Sequence, residues 1–409
     1  MEQIIFYLIL GFVIFDYVLE QTLDYLNSTK RSEKIPDEIK GIYDEEKYRK
    51  QQNYEKETSR FSFVTSTFSF IIILLMLIFN GFYIIDYWVW QLTDNQILRA
   101  LLFFGIIMFA SDLINLPFSV YSTFVIEEKY GFNKTTVKTF IFDKLKSWLL
   151  TIIIGGGILS FVIWIYLQTQ QMFWIYVWIA ISAFTIFFTM FYSSIIVPLF
   201  NKQTPLEDGE LKTAITDFSK KVGFKLDNIY KIDGSKRSTK ANAYFSGLGP
   251  KKRIVLYDTL INDLETKELV AVLAHEIGHY KKKHVLKNIL FSILQTGVIL
   301  YILSLFIGNP VLSKALGSAN YSFEINLVAF SLLYSPISLI TGVFMNIYSR
   351  KNEYQADAFA KNNFDGDALA SALKKLSVNN LSNLTPHKLY VFFHYSHPTL
   401  LERLQALKK

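Results

Sequence analysis

The sequence predicts a mostly α-helical membrane protein: a seven-helix transmembrane bundle carrying, on its cytoplasmic side, a polar cap with a small β-hairpin or sheet. Three observations predict this. The 409 residues are 51% hydrophobic and 19% charged, with a positive mean hydropathy of +0.26, values that belong to the membrane class. Seven apolar runs are long enough to cross a bilayer as helices. The loops between those runs alternate between rich and poor in Lys and Arg.

The apolar runs lie at 3–22, 63–88, 97–121, 147–168, 172–197, 285–307 and 325–348. The first begins Met1-Glu2-Gln3, without a basic lead or a small-residue cleavage site, so it is expected to stay as a helix. Basic residues crowd 23–62, 122–146, 198–284 and the tail after Arg350. The connections 89–96 and 169–171 have none, and 308–324 has Lys314 alone. The positive-inside rule then puts the N-terminus outside and the C-terminus in the cytoplasm. Residues 1–197 form an N-terminal membrane region of five spans. Residues 198–409 hold the last two spans and two polar stretches, 198–284 and 349–409, which can meet as one cap. No internal repeat or low-complexity linker interrupts the chain.

Composition also narrows the chemistry. The chain has no Cys, which excludes disulfides, thiolate metal sites and a Cys nucleophile. Any metal must sit on His, Asp or Glu. The net charge of +7 is assigned to cytoplasmic loops rather than to nucleic-acid binding. An abundance of Lys, Ile, Phe and Asn points to an AT-rich bacterial source, hence a bacterial inner membrane in preference to the endoplasmic reticulum. Asp112, Asn115, Asn288 and Asn346 lie within spans, where polar groups face a bundle interior or water. Interhelical hydrogen bonding is the plainer account of them.

The run Leu264–Lys283 reads as a helix capped by Asp263, with apolar Leu269, Val270, Val272, Leu273 and Ile277. His275 and His279 are four apart and share a face, so both imidazoles can bind one Zn²⁺. Glu276 can reach a water on the metal as general base. The competing reading is a pair of surface histidines on a charged helix end. With six His in the chain, two at this spacing with Glu between them favour the metal. A catalytic zinc needs a third protein ligand and an open position. His284, His387, His394 and His397 are candidates. Glu353 is another, four residues before Asp357 on the helix that continues the last span. Asp357 could orient a ligand histidine, although an isolated pair of this kind is more often a solvated helix face. Asn242–Gly247 and Arg253–Asp258 read as β-strands joined by Leu248–Lys252. An exposed strand edge there can pair with an extended peptide, with Asn242 offering a side-chain donor or acceptor; the same hairpin could simply support the helix.

Taken in order, these pieces resemble the type I CAAX prenyl endopeptidases, seven-span zinc proteases of the gluzincin group. The resemblance covers most of the chain. It is carried by Leu116-Pro117-Phe118-Ser119-Val120-Tyr121 through Glu127-Glu128-Lys129-Tyr130-Gly131-Phe132-Asn133-Lys134, and by Gly234-Ser235-Lys236-Arg237-Ser238 with Asn242-Ala243-Tyr244-Phe245. Lys252–Leu260, the His275–His279 motif, Glu353 with Asp357, and Ser396-His397-Pro398 with Arg403 follow in family order. The resemblance implies one Zn²⁺ per chain on His275, His279 and Glu353, with Glu276 as base and Asp357 behind a ligand. It implies that His397 stabilises the oxyanion and that Arg403 binds substrate or fixes the site. The peptide is expected along 242–247, touching Asn242, Ala243 and Tyr244. The implied activity is hydrolysis near the C-terminus of peptides of the prenylated CAAX type, in a monomer whose helices enclose a hydrated chamber; Asp112 and Asn115 are candidates for its lining. Residues 198–409 would then be the zinc peptidase region.

Three rivals remain. A quality-control zinc protease without a prenyl requirement shares the histidine motif but has fewer spans and lacks the Leu116–Lys134 signature. A transporter or channel would show inverted repeats, and none is present. A catalytically dead scaffold is disfavoured by the intact Glu276.

Overall fold

In lipid every backbone polar group must be satisfied within the segment, so the apolar runs fold as helices. The computed structural model describes residues 1–224, 229–248 and 252–409. The N-terminal half consists of α1 (Glu2–Ser28), α2 (Glu45–Ile78), α3 (Gly81–Leu92), α4 (Gln96–Tyr121), α5 (Val137–Leu150), α6 (Gly156–Thr169), α7 (Phe173–Ile195) and the short α8 (Val197–Phe200). A π-helical segment, Ser122–Glu127, prolongs α4, and another, Thr151–Gly155, joins α5 to α6.

Among the described residues five helical runs are long and apolar enough to cross a membrane: Glu2–Ser28, Glu45–Ile78, Gln96–Glu127, Val137–Phe200 and His284–Phe306. A sixth results if the bent pair Phe323–Leu333 and Ser335–Asn363 is one span. The predicted number is seven, and the difference lies in the 64-residue run Val137–Phe200. It contains two predicted spans and turns at Gln170–Met172, where Gln170 takes φ +48°.

The second half continues with strands β1 (Gln203–Pro205), β2 (Ile229–Ile232), β3 (Ala243–Ser246) and β4 (Arg253–Tyr257), and with α9 (Glu210–Lys221) between β1 and β2. Then come α10 (Asp258–Asp263), α11 (Thr266–Lys281), α12 (His284–Phe306), α13 (Pro310–Ala315), α14 (Phe323–Leu333), α15 (Ser335–Asn363), α16 (Gly366–Asn379), α17 (Lys388–His394) and α18 (Leu400–Lys408). The strand order is β1-β2-β4-β3. The predicted hairpin is present as β3 antiparallel to β4, with Ala243 opposite Leu256 and Ser246 opposite Arg253. Most of its predicted turn, residues 249–251, lies outside the described residues. β2 runs parallel to β4, and β1 antiparallel to β2. β2 and β4 are the inner strands, and Ile254, Val255 and Leu256 of β4 are fully buried. β3 is left at the sheet edge.

Two cores hold the cap. The first surrounds α11 with Ile215, Phe218, Leu256, Leu260, Leu273, Ile277, Leu369 and Ala372, so that α9, the sheet and α16 all pack on one helix. The second joins distant parts of the chain: Tyr43 before α2 and Tyr48 within it, Ile126 and Phe132 after α4, and Leu381, Leu400 and Leu404 from the C-terminal end. The N-terminal half therefore contributes to the cap. The two resemblance stretches meet at this seam. Lys134 N donates to Arg237 O at 3.0 Å, and Thr239 N to Phe132 O at 3.0 Å. Lys240 Nζ and Tyr54 Oη both donate to the Glu127 carboxylate, at 2.9 and 2.5 Å.

One element links membrane and cap directly. α14 and α15 meet at a 50° bend, where Pro336 lies in the first turn of α15 and cannot continue the preceding ladder. Beyond the bend, α15 runs unbroken for 29 residues and carries Glu353 and Asp357 out of the apolar region.

Candidate metal centre

The start of α11 fixes the height of its histidines. Asp263, predicted as the cap, instead ends α10 and accepts from Asn379 Nδ2 at 3.0 Å. The cap is Glu265, in a reciprocal box with Glu268. Glu268 also accepts from Ser371 Oγ at 2.7 Å and Lys375 Nζ at 2.8 Å, which ties α11 to α16. Further along, α11 lies against α15. A Cβ on Gly278 would come within 3.1 Å of both Ala356 Cα and Phe359 Cβ. Glycine therefore lets the two helices approach closely, and this approach sets Glu353 opposite the histidines.

His275, His279 and Glu353 each offer one ligand atom, and those atoms all lie within 4.8 Å of one another. The two Nε2 atoms are 3.1 Å apart. His275 Nε2 is 3.3 Å from Glu353 Oε2, and His279 Nε2 is 3.2 Å from Glu353 Oε1. Ligand atoms about 2.0–2.2 Å from a tetrahedral zinc lie roughly 3.3–3.6 Å from each other, so these separations are close to the short end of that range. The donor chemistry fits as well. Glu353 Oε2 is buried and receives no hydrogen bond, an acceptor that a cation would satisfy.

Each imidazole is held from behind. His275 Nδ1 lies 2.8 Å from Asp357 Oδ1. Arg403 grips the same carboxylate with two donors, Nε to Oδ2 at 2.8 Å and Nη2 to Oδ1 at 2.6 Å. Burial disfavours charge on His275, but the Asp357 and Glu353 carboxylates outweigh it and raise its pKa to about 9. Behind His279 stands His284, one of the open candidates for third ligand. Its Nδ1 is 3.0 Å from His279 Nδ1, and its Nε2 is 3.1 Å from Gln355 Oε1. His284 therefore touches the back of a candidate ligand rather than joining the donor set. Sequence reasoning did not find this pairing; the signal available was Gln355, between Glu353 and Asp357 on the same turn of α15.

The other candidates fall into two groups. Glu276 is half-buried beside the donor set, and burial raises its carboxyl above the usual range. His397 is exposed on the loop before α18, with Nε2 3.5 Å from Glu353 Oε1 and Nδ1 2.9 Å from Ser396 Oγ. Asn242, Ala243 and Tyr244 make no hydrogen bond to the donor set among the described residues. Asn242 and Tyr244 line a groove of about 710 Å³ with Tyr192, Tyr257 and Val285. Tyr244 Oη reaches Ser193 Oγ and Gln203 Nε2, both at 3.3 Å. His387 caps α17, and His394 pairs with Glu20 at 3.3 Å. Asp112 accepts from Lys144 Nζ at 2.6 Å and Trp148 Nε1 at 2.9 Å, and Asn346 donates to Phe393 O at 2.6 Å. Both tie neighbouring helices together. Asn115 donates to its own helix at Ser111 O, and Asn288 is exposed.

Comparison with known proteins matches two family models to the chain. The family described as CAAX prenyl protease N-terminal, five membrane helices, matches residues 24–202, and peptidase family M48 matches residues 205–409. CAAX prenyl protease 1 of Saccharomyces cerevisiae is 38% identical over 98% of this chain and 94% of its own. The Homo sapiens CAAX prenyl protease 1 homolog is 33% identical over 93% of this chain and 90% of its own. The crystal structure of S. mikatae Ste24p superposes with a TM-score of 0.94 at 36% identity, covering 99% of each chain. On these matches the chain is an integral, multi-pass membrane metalloprotease and belongs to the CAAX prenyl protease 1 family within peptidase family M48.

Proposed function

We propose that this chain is a zinc endopeptidase that cuts peptide bonds near the C-terminus of prenylated CAAX-type peptides. The observation that carries the proposal is the donor set of His275, His279 and Glu353, drawn from two helices and spaced for one ion. A zinc ion held there supplies Lewis acidity, acidifying a water and polarising the scissile carbonyl. Every further role falls to the chain. Glu276 takes a proton from the attacking water and returns it to the leaving amine; its burial, which raises the carboxyl pKa, suits that exchange. His397 donates to the carbonyl oxygen as charge develops on it. Asp357 orients His275, and the two donors that Arg403 gives it favour a site-fixing role over a substrate-binding one. If His279 binds through Nε2, its proton must sit on Nδ1 and donate to His284 Nδ1. His284 Nε2–H then donates to Gln355 Oε1. The free edge of β3 takes the peptide as an added strand against Asn242, Ala243 and Tyr244, of which Asn242 and Tyr244 line the groove.

The membrane part completes the proposal: seven spans, with the turn at Gln170 dividing the long run Val137–Phe200, and the cap on the cytoplasmic face, as loop charge argues. Composition supports a bacterial inner membrane, although the relatives named above are eukaryotic. Because the natural chain lacks cysteine, single Cys at Lys282 and at Asn320 can be labelled with an impermeant maleimide; labelling of both from one side refutes this topology.

The direct test of mechanism is Glu276→Gln in purified protein. Cleavage of a farnesylated peptide should fall about 10²–10⁴-fold while zinc stays near one per chain. Retained turnover refutes Glu276 as base, and equal cleavage of the same peptide without farnesyl supports the broader quality-control reading.

A further inference from the structure

The lower half of α2 carries a largely basic face. Positions 46, 49, 50, 53, 56, 57, 60 and 64 recur at helical spacing and form one stripe. Together with Phe61, Tyr121, Ile126 and Lys129 they line a groove of about 780 Å³. Tyr48 and Gln51, on the other side of the helix, are buried, and Tyr48 belongs to the cap core, so the stripe lies opposite that packed side.

Its charges are unbalanced. Glu57 already accepts from Lys129 Nζ at 2.7 Å and Tyr130 Oη at 2.9 Å. Arg49, Lys50, Lys56 and Arg60 make no ion pair or side-chain hydrogen bond among the described residues, and Glu46 is the one other acid of the groove, at its end farthest from the predicted span. Toward the span, which is predicted to begin at 63, the groove becomes apolar at Phe61, Val64 and Tyr121. Val64 and Tyr121 are exposed. Topology rules account for basic residues on this side of the membrane. They do not account for four unpaired cations in a stripe that ends on exposed apolar side chains.

We propose that this groove binds an anionic phospholipid of the adjacent leaflet. The headgroup phosphate sits among Arg49, Lys56 and Arg60, where guanidinium forks match its geometry. An acyl chain lies on Phe61, Val64 and Tyr121.

The test titrates detergent-purified, full-length protein with dioctanoyl phosphatidylserine, dioctanoyl phosphatidylcholine or inorganic phosphate, reading bound species by native mass spectrometry. The serine lipid should bind about tenfold or more tighter than the choline lipid. The variant Arg49→Gln/Lys56→Gln/Arg60→Gln should weaken it by about tenfold to a hundredfold. A control, Lys30→Gln/Lys34→Gln/Lys47→Gln, removes equal charge from the same side but outside the groove, and should change binding by less than about twofold. Val64→Asn should weaken the lipid but leave inorganic phosphate unchanged. Equal losses in the two triple variants, or no headgroup preference, overturn the proposal. Lipid binding that survives Val64→Asn and is fully displaced by inorganic phosphate makes this a free-phosphate site, and overturns it too.

Discussion

His275 and His279 present the same ring atom to the same point, yet what stands behind them differs in kind. Behind His275 is a buried charged pair, Asp357 with Arg403. Behind His279 is a neutral relay, His284 and Gln355. A carboxylate behind an imidazole makes the ring more basic and steadies positive charge on it. A neutral acceptor fixes the tautomer and adds no charge. One anionic support leaves the two rings unequal, and a site that already contains Glu353 and Glu276 avoids a third uncompensated carboxylate. Arg403 supplies that compensation for Asp357.

The comparison can be broken from its charged side first. Asp357→Ala leaves Arg403 buried without its partner, which costs about 3–5 kcal/mol of stability. Chelator competition should show zinc affinity reduced about 100-fold, the upper end for such support. Near-normal zinc retention in that variant would end the claim that Asp357 supports a ligand. The neutral side should cost less. His284→Ala is expected to weaken zinc about tenfold, and His284→Gln, whose amide oxygen can still accept from His279 Nδ1, should recover most of that loss. If both variants lose zinc equally, the relay has no role beyond packing.

The smallest effect, a change of pH dependence, sharpens the same contrast. His275 has its pKa raised to about 9 in the metal-free protein, so below that pH zinc must displace a proton from it. Zinc affinity should therefore rise with pH and level off near 9. Asp357→Asn removes the main support for that proton and should move the plateau to lower pH, whereas His284→Gln should leave it in place. A plateau that moves equally in both variants assigns the shift to something other than Asp357.

Much of this arrangement was legible in the sequence, and what was not has physical causes. A four-residue spacing on a helix puts two side chains on one face whatever surrounds them, so the pairing of His275 with His279 was readable locally. Glu353 was readable only as a polar residue on the same side of the membrane. Its approach depends on Gly278 meeting Ala356, a contact between helices separated by α12, α13 and α14. His284 stayed open among the candidates for third ligand; the chain turns at Lys283, φ +59°, begins a new helix there, and sets its ring behind His279. The Asp263 cap failed because α10 ends where α11 was expected to begin. β1 and β2 are three and four residues long and pair across a helix, too short for alternation to register. Asp112 meets Lys144 from another helix, which no local pattern encodes.

The bend before α15 has a mechanical consequence. From Pro336 to Glu353 the helix rises roughly 26 Å at 1.5 Å per residue. It is a stiff arm that carries a candidate ligand well beyond the bend, before its end at Asn363. Rotating that arm by one degree displaces Glu353 by about 0.4 Å, close to the roughly 0.5 Å within which catalytic constellations must be held. Bilayers of different thickness tilt their helices differently. If the bent pair is one span, lipid thickness acts on ligand geometry, and peptidase activity should vary with acyl-chain length even when the peptide itself is freely soluble.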